Sequence, residues 1–493
     1  MFSRAHAWSL RHQAAAGASV IRPPSPPRRR PIQPLPMPLE GTTISPLAGL
    51  FEYPELIPHV LAEFEQPKDL AVLCRVSKAF DWLVRRRLYD HIWIRPWEEN
   101  CHYKLVLLFE SLSKSPHLCR LVKRLDVRFF PLSAKGDDRY DLDDQVKVAI
   151  SSMVNLEHLI WTRDKSLRPE IVEEVARLPR LRTLEISGHA YRYYTPRLLG
   201  SMSALQDLRF MMPDTTVRDS LVHIARELGE RANGGLRGLG LICRDSPIIT
   251  DELVKALSKH LSRLRRLTLW GCSRVTKTSV YQILEAAEDL EELSIDALPH
   301  SGMLDLSGAP ELPNLHSFSL SITPPHRTPV QLQTADLPLL PRDLNLSSLH
   351  INLSSAIAHL PVGGVEHLTS QVDFGRLKRL SLLNIVVAAQ QLSALIDAAP
   401  HLDELYISTN GKQALIDCSE LTGRPLRIFH VIAPEKWGPT ADDLAELAGR
   451  LPEVEQIGTG NRVYEVFRKE GGDVELARWG RTVVPGYFQV WRG

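Results

Sequence analysis

The sequence predicts an α/β chain: a short helical segment near the front, then a long solenoid of parallel strands backed by helices. Three observations carry this prediction. A phrase of the form L-x-x-L-x-L, with Val, Ile or Phe as substitutes, recurs at intervals of 24 to 34 residues. The stretches between its copies carry apolar residues at helical spacing, as in Asp251-Glu252-Leu253-Val254-Lys255-Ala256-Leu257. Ahead of the array, residues 54–89 place apolar side chains three and four apart in three short runs. Spacings of three and four mark amphipathic helices, and a fixed period of this length marks a stacked array.

The chain has 493 residues and a formal net charge of +1. That is room for several domains or one long array, with no global field to attract nucleic acid or an acidic membrane. Residues 1–45 form the first segment. Met1 to Leu39 contains no acid and holds the basic, proline-rich run Pro23-Pro24-Ser25-Pro26-Pro27-Arg28-Arg29-Arg30-Pro31. Such a composition cannot bury a core and predicts a disordered tail. Two functional readings stay open for it, a mitochondrial transit peptide and a nuclear signal at Arg28-Arg29-Arg30.

The front segment, 46–97, reads as three helices. Pro54 suits a first helical turn, Pro67 interrupts, and Asp69 stands where an N-cap or first-turn carboxylate is favoured. Val60, Leu61 and Phe64 mark the first run, Leu73, Val76 and Phe80 the second, Leu83, Val84 and Leu88 the third. A unit of this size is too small for a core of its own and should lean on a partner.

These residues resemble an F-box. The motif appears as Tyr53-Pro54-Glu55-Leu56-Ile57, Val60-Leu61, Asp69-Leu70, Val76-Ser77-Lys78-Ala79-Phe80 and Leu88-Tyr89. Pro58 follows Ile57 where a helix former is more usual, and Ser77 replaces the common Cys. The resemblance implies docking to a Skp-type adaptor of a cullin–RING ubiquitin ligase. It implies that the apolar anchors Pro54, Leu56, Ile57, Leu61, Leu70, Val76 and Phe80 make that contact. The alternative is a small helical cap on the following domain, in a plain interaction scaffold unconnected with ubiquitin.

The array occupies 98–460. Clear copies of the phrase begin at Leu156, Leu181, Leu205, Leu236, Leu264, Leu290, Leu377 and Leu402. Weaker copies begin at Val122, Leu315, Leu346 and Leu426, with a degraded one at Val454. The phrase is similar to the leucine-rich repeat, which implies a curved solenoid with parallel strands inside and helices outside. Alternation sends Leu184 and Ile186 to one side of a strand and Glu185 to the other. Thr250 and Thr278 are candidate helix caps. No unit can bury its own apolar face, so stacking supplies the core. Two segments break the rhythm: the acidic stretch after Phe129, read as a loop and helix start, and the proline-rich Thr323 to Pro341. Residues 461–493, with Tyr464, Phe467, Trp479, Tyr487, Phe488 and Trp491, read as a cap over the last repeat.

Catalytic motifs do not emerge. There is no P-loop, no H-E-x-x-H and no G-x-S-x-G. The six cysteines include no C-x-x-C pair, so neither a zinc knuckle nor a disulfide framework is suggested. No apolar run approaches the ~18 to 20 residues of a membrane span. No cofactor and no metal are expected, and the chain reads as a non-enzyme located in the cytoplasm or nucleus. Its expected partners are the Skp-type adaptor with its cullin scaffold and a protein target of unknown identity. Residues flanking each apolar strand pair should line the inner face, and aromatics and arginines dominate binding hot spots. Arg209, Arg266, Trp270 and Tyr406 are therefore the target-binding candidates. Against that stands a bland reading, in which Arg266 pairs with Glu292 on the next strand and a loop covers Trp270. The glycines of Gly234 to Gly240 cross a repeat strand and should permit close packing.

Overall fold

The computed structural model describes residues 55–479, apart from 63, 65, 95, 97–98, 132–136, 232–234, 325–330, 342–343, 355, 410, 417, 433–437 and 470–472. The tail, Pro54, Asn410 and the aromatics Tyr487, Phe488 and Trp491 lie outside the described residues. The chain divides into two compact units, residues 1–64 and 65–493. This division falls inside the 46–97 segment that the sequence suggests is one module.

In the first unit the described element is helix α1 (Ile57–Ala62), with Ile57 and Leu61 buried. The second unit opens with α2 (Pro67–Leu73) and α3 (Lys78–Asp90). Pro67 sits in the first turn of α2, where its missing N–H costs nothing, and Asp69 follows as a first-turn acid. The residue that departs from the F-box pattern has a local job. Ser77 Oγ accepts the amide N–H of Phe80 at 3.2 Å and caps α3. Helix α3 passes directly into β1 (His91–Trp93), which pairs in parallel with β2 (Arg124–Val127). The ladder therefore begins within the segment assigned from sequence to the helical module.

Every copy of the phrase becomes a strand, starting two residues after its first apolar residue. After β2 come β3 (His158–Trp161), β4 (Thr183–Ser187), β5 (Asp207–Met211), β6 (Gly238–Thr250) and β7 (Arg266–Arg274). Then follow β8 (Glu292–Ala297), β9 (Ser317–Ile322), β10 (Ser348–Leu353), the short β11 (Ala358–His359) and β12 (Arg379–Val386). The series continues with β13 (Glu404–Ser408), β14 (Ile428–Ile432) and β15 (Gln456–Thr459). All pairings from β1 to β15 are parallel, and β10 pairs with both β9 and β12. The direction then reverses: β16 (Arg462–Arg468) and β17 (Val474–Arg478) are antiparallel and end the described sheet. This is a leucine-rich-repeat solenoid of α/β class.

Helices cover one face of the sheet. Leu159, Leu184, Leu208 and Leu267 on strands share a continuous core with Ile150, Val175, Leu221 and Leu257 on helices. Full burial of one such side chain contributes about 1.5–3 kcal/mol, so the stack gains with every repeat. Thr250 caps its helix through the Leu253 N–H, as expected. The next N-cap position is held by Thr276 rather than Thr278, because the helix starts at Lys277, and the Thr276 hydroxyl donates to Asp251 instead of capping. The acidic stretch after Phe129 does lead into a helix, Asp137–Ser152. Thr323 to Pro341 lies between the paired strands β9 and β10 as an excursion, with a short 3-10 turn at Thr334–Asp336.

Candidate protein-binding surfaces

The candidate surfaces are the exposed apolar side chains of α1 in the first unit, those of α2 and α3 in the second, and the sheet face opposite the solenoid's helices.

The anchors proposed for the front helices divide into two groups. Ile57, Leu61, Leu70 and Phe80 are buried, each at 6 % exposure or less. They cannot meet a partner without rearrangement, which corrects the expectation for these four. Leu56 and Val76 are about half exposed, at 47 % and 54 %. Val60, Val72 and Trp82 join them as large exposed apolar residues. The Trp82 ring, 64 % exposed, carries the Arg86 guanidinium 4.9 Å from its centroid. Val72 and Trp82 were not singled out from sequence. The available signal was that Val72 stands four residues from Val76, off the Leu70–Leu73 stripe.

Register defines the middle row of the inner face. It runs Trp93, Asp126, Ile160, Glu185, Arg209, Gly240, Thr268, Ser294, Ser319, His350, Ser381, Tyr406, His430, Gly458. Its early part is ionic. The buried Asp126 accepts from Arg124 Nε at 3.0 Å and Arg128 Nη2 at 3.3 Å, with His91 Nε2 at 3.6 Å. Burial alone would raise this carboxyl. Hydrogen bonds from His91 and Arg124, with the charges of Arg124 and Arg128, overcome that and hold it down to about 2. Arg128 also lies 3.9 Å from Glu185, whose pKa burial raises.

Glycines shape the next part. Register sets Asp207, Gly238 and Arg266 side by side on β5, β6 and β7. A Cβ on Gly238 would fall 2.0 Å from Asp207 Oδ1, and one on Gly240 2.6 Å from Arg209 Cγ. The bare glycine lets Arg266 reach over β6 to Asp207 Oδ1, with Nη2 at 2.6 Å and Nε at 3.1 Å. Close packing at these glycines is thus observed. Arg266 pairs backward to Asp207 rather than forward to Glu292, a link no sequence pattern announces. Next in the ladder, Asp296 accepts the Gly271 N–H, and burial pushes its carboxyl up to about 7.

The later part is neutral and closed. His350 is buried with Nδ1 2.8 Å from Ser381 Oγ. His430 is fully buried, and its Nε2 contacts the Gly460 carbonyl at 3.1 Å. Burial first, with the nearby Arg379 adding to it at His350, lowers both imidazoles to about 3. Tyr406 donates to Glu404 Oε2 at 2.9 Å, and Glu404 also takes a two-pronged contact from Arg379 at 2.7 Å per prong. The Tyr406 side chain exposes 0 % of its surface. A residue so covered is no accessible hot spot, which corrects the expectation for Tyr406. Arg209, Arg266 and Trp270 are half-buried. The Trp270 indole N–H is itself buried, with no acceptor among the described residues.

Cys243 and Cys272, remote in sequence, meet with Sγ atoms 3.8 Å apart as free thiols. Among the described residues no group of three or more His, Cys, Asp or Glu is placed to hold a metal, and no helix is long and apolar enough to cross a membrane.

No protein-family model matches the chain, and no curated protein matches it in sequence. Among solved structures, a chain from the crystal structure of the Rad7 and Elc1 complex in yeast is similar to it. That match covers 85% of this chain and 94% of the other, at 15% identity and a TM-score of 0.45. The likeness is too distant to bear on function.

Proposed function

We propose that this protein is a substrate-recognition adaptor of a Skp–cullin–F-box ubiquitin ligase. The front helices dock a Skp-type adaptor, and the repeats hold the target protein. One observation carries the reading: a segment bearing the F-box motif leaves Leu56, Val60, Val72, Val76 and Trp82 exposed while Ile57, Leu61, Leu70, Phe80 and Val84 are buried. Exposed apolar groups at a small helical front end are what a docking module needs. In this role the chain works by positioning. Holding a target beside a charged conjugating enzyme raises effective concentration without a catalytic side chain here. The cytoplasm or nucleus fits such a role.

The test is co-purification of the full chain with a Skp-type adaptor. Leu56→Asp plus Val76→Asp, two exposed positions, should lower adaptor capture at least tenfold while leaving thermal unfolding unchanged. Undiminished capture by that variant would refute the docking surface.

A second reading has its own support. Four of the seven anchors are buried, and α3 runs straight into the first strand of the ladder. A plain repeat scaffold with a helical N-terminal cap predicts both. It also predicts that the intact protein captures no adaptor.

A further inference from the structure

Two cysteines of neighbouring repeats meet where β6 and β7 lose their even register. The ladder runs regularly to Ile242 opposite Trp270, then slips, so that Ser246 stands opposite Cys272. Cys243 falls inside that slip. The Cys272 thiol donates to Cys243 Sγ at 3.8 Å, and the Leu241 carbonyl of β6 lies 3.8 Å from the same sulfur. A glycine permits this approach. Gly271 has a φ of +63°, and a Cβ there would strike the Cys243 carbonyl. The Gly271 N–H is held by Asp296 on β8, which fixes the chain one residue before Cys272. The two thiols differ in access: Cys243 is half-buried, whereas Cys272 is 4 % exposed. Among the described residues no other two cysteine sulfurs are in hydrogen-bonding contact.

We propose that Cys243 and Cys272 form a redox-operated clasp: hydrogen peroxide joins them in a disulfide that locks two repeats together beside Trp270, and a dithiol reductant opens it. Closing the present gap of 3.8 Å to a bond of about 2.05 Å asks for roughly 1.8 Å of sulfur movement. The accessible sulfur reacts first, as its thiolate. Cys243 attacks one peroxide oxygen. The O–O bond breaks, an S–O bond forms, and the departing hydroxide takes a proton to become water. The Cys272 sulfur then attacks the Cys243 sulfur. An S–S bond forms, the S–O bond breaks, and hydroxide leaves as a second water with the Cys272 proton. Together the two thiols give up two electrons and two protons, and one peroxide becomes two waters. The hydrogen bond to Cys243, then burial, raises the Cys272 thiol, which keeps it protonated and inert until its neighbour is oxidised.

The clasp sits where the regular pairing of β6 with β7 is interrupted, so covalent closure acts at the loosest part of this strand pair. It also lies against a target-binding candidate, since the Trp270 carbonyl is 3.6 Å from Cys272 Sγ. Oxidation therefore stiffens the edge of the inner face that presents Trp270. The clasp belongs to the repeats and works alike in a ligase adaptor and in a plain scaffold.

The experiment treats the reduced full chain with a small excess of hydrogen peroxide, blocks remaining thiols by alkylation under denaturing conditions and maps tryptic peptides by mass. Residues 238–244 should appear linked to 267–274, two hydrogens lighter than the separate peptides and parted by dithiothreitol. Amide hydrogen exchange in β6 and β7 should slow roughly threefold or more on oxidation, with β13 and β14 unchanged. In Cys272→Ser, dimedone should trap a sulfenic acid at Cys243, while Cys243→Ser should leave Cys272 a free thiol. Alkylation of both cysteines after peroxide, or linkage of either to a different cysteine, overturns the proposal. So does a disulfide that leaves exchange in β6 and β7 unchanged, or a sulfenic acid found on Cys272 rather than Cys243. Should a serine variant fail to fold, the peptide map and the exchange of the unaltered chain decide the matter.

Discussion

The early and late stretches of the inner sheet face solve the same problem with opposite chemistry. From β2 to β7 the face is charged: Asp126 beside Arg124 and Arg128, Arg128 reaching toward Glu185, and Arg266 stretched over a glycine to Asp207. From β10 to β14 its middle row is neutral, with imidazoles without charge, hydroxyls and a sealed aromatic, and the one ion pair described beside it is Arg379 with Glu404. A buried charge is tolerable where a counter-charge repays its desolvation, whereas neutral polar groups need only a hydrogen bond. A uniform repeat in the sequence thus supports two electrostatically different surfaces. Removal of a partner should be costly in the first, and acid should be costly in the second.

The largest effect expected is Asp126→Ala. It strands the buried Arg128 and should cost about 3–5 kcal/mol, read by denaturant unfolding or by exchange in β1 to β4. A cost below about 1 kcal/mol would mean the early face is as forgiving as the late one. Acid should pick out the late face. His350 and His430 are depressed from 6.5 to about 3, so the folded state resists protonation that the unfolded chain accepts. The stability they contribute is complete above pH 6.5 and is lost as pH falls from there toward 3. At pH 5 the loss is about 2 kcal/mol for each. Asp126, depressed to about 2, keeps its contribution down to about pH 4 and loses it below. Exchange measured between pH 7 and 5 should therefore rise in β10 to β14 before β2 to β5. Simultaneous loosening would erase the distinction. Next comes Gly238→Ala, whose Cβ displaces Asp207 from Arg266 and should cost about 1–3 kcal/mol. In a background already carrying Asp207→Ala the penalty should shrink to a few tenths, and an unchanged penalty would mean the glycine serves something other than that ion pair. The smallest is Tyr406→Phe. It removes one hydrogen bond to Glu404 and should cost about 1 kcal/mol, leaving the apolar cluster packed.

The ladder was legible because its signal is local. An apolar pair two residues apart, preceded by a leucine or valine, commits a strand, and every phrase from Val122 to Leu426 obeys it. The start of the array at β1 was not legible, since His91-Ile92-Trp93 lacks the phrase. Contacts across strands were also hidden. That Arg266 turns to Asp207 depends on an absent Cβ at Gly238, and glycine in sequence does not say which neighbour uses the space. Tyr406 misled because composition marks aromatics as hot spots, while nothing in a strand's pattern tells whether its polar face meets water. The front helices show the same limit. The motif identifies the anchors as apolar, but which of them turn outward depends on how each helix is rotated against its surroundings.

The reversal at β16 has a consequence of its own. A ladder of parallel strands has no internal reason to stop, and its last open rung is a template on which another molecule can grow. The antiparallel β16–β17 hairpin pairs against β15 and occupies that rung. Cutting away β16 and β17 should accordingly yield a protein that associates end to end as it is concentrated, even with every earlier repeat intact.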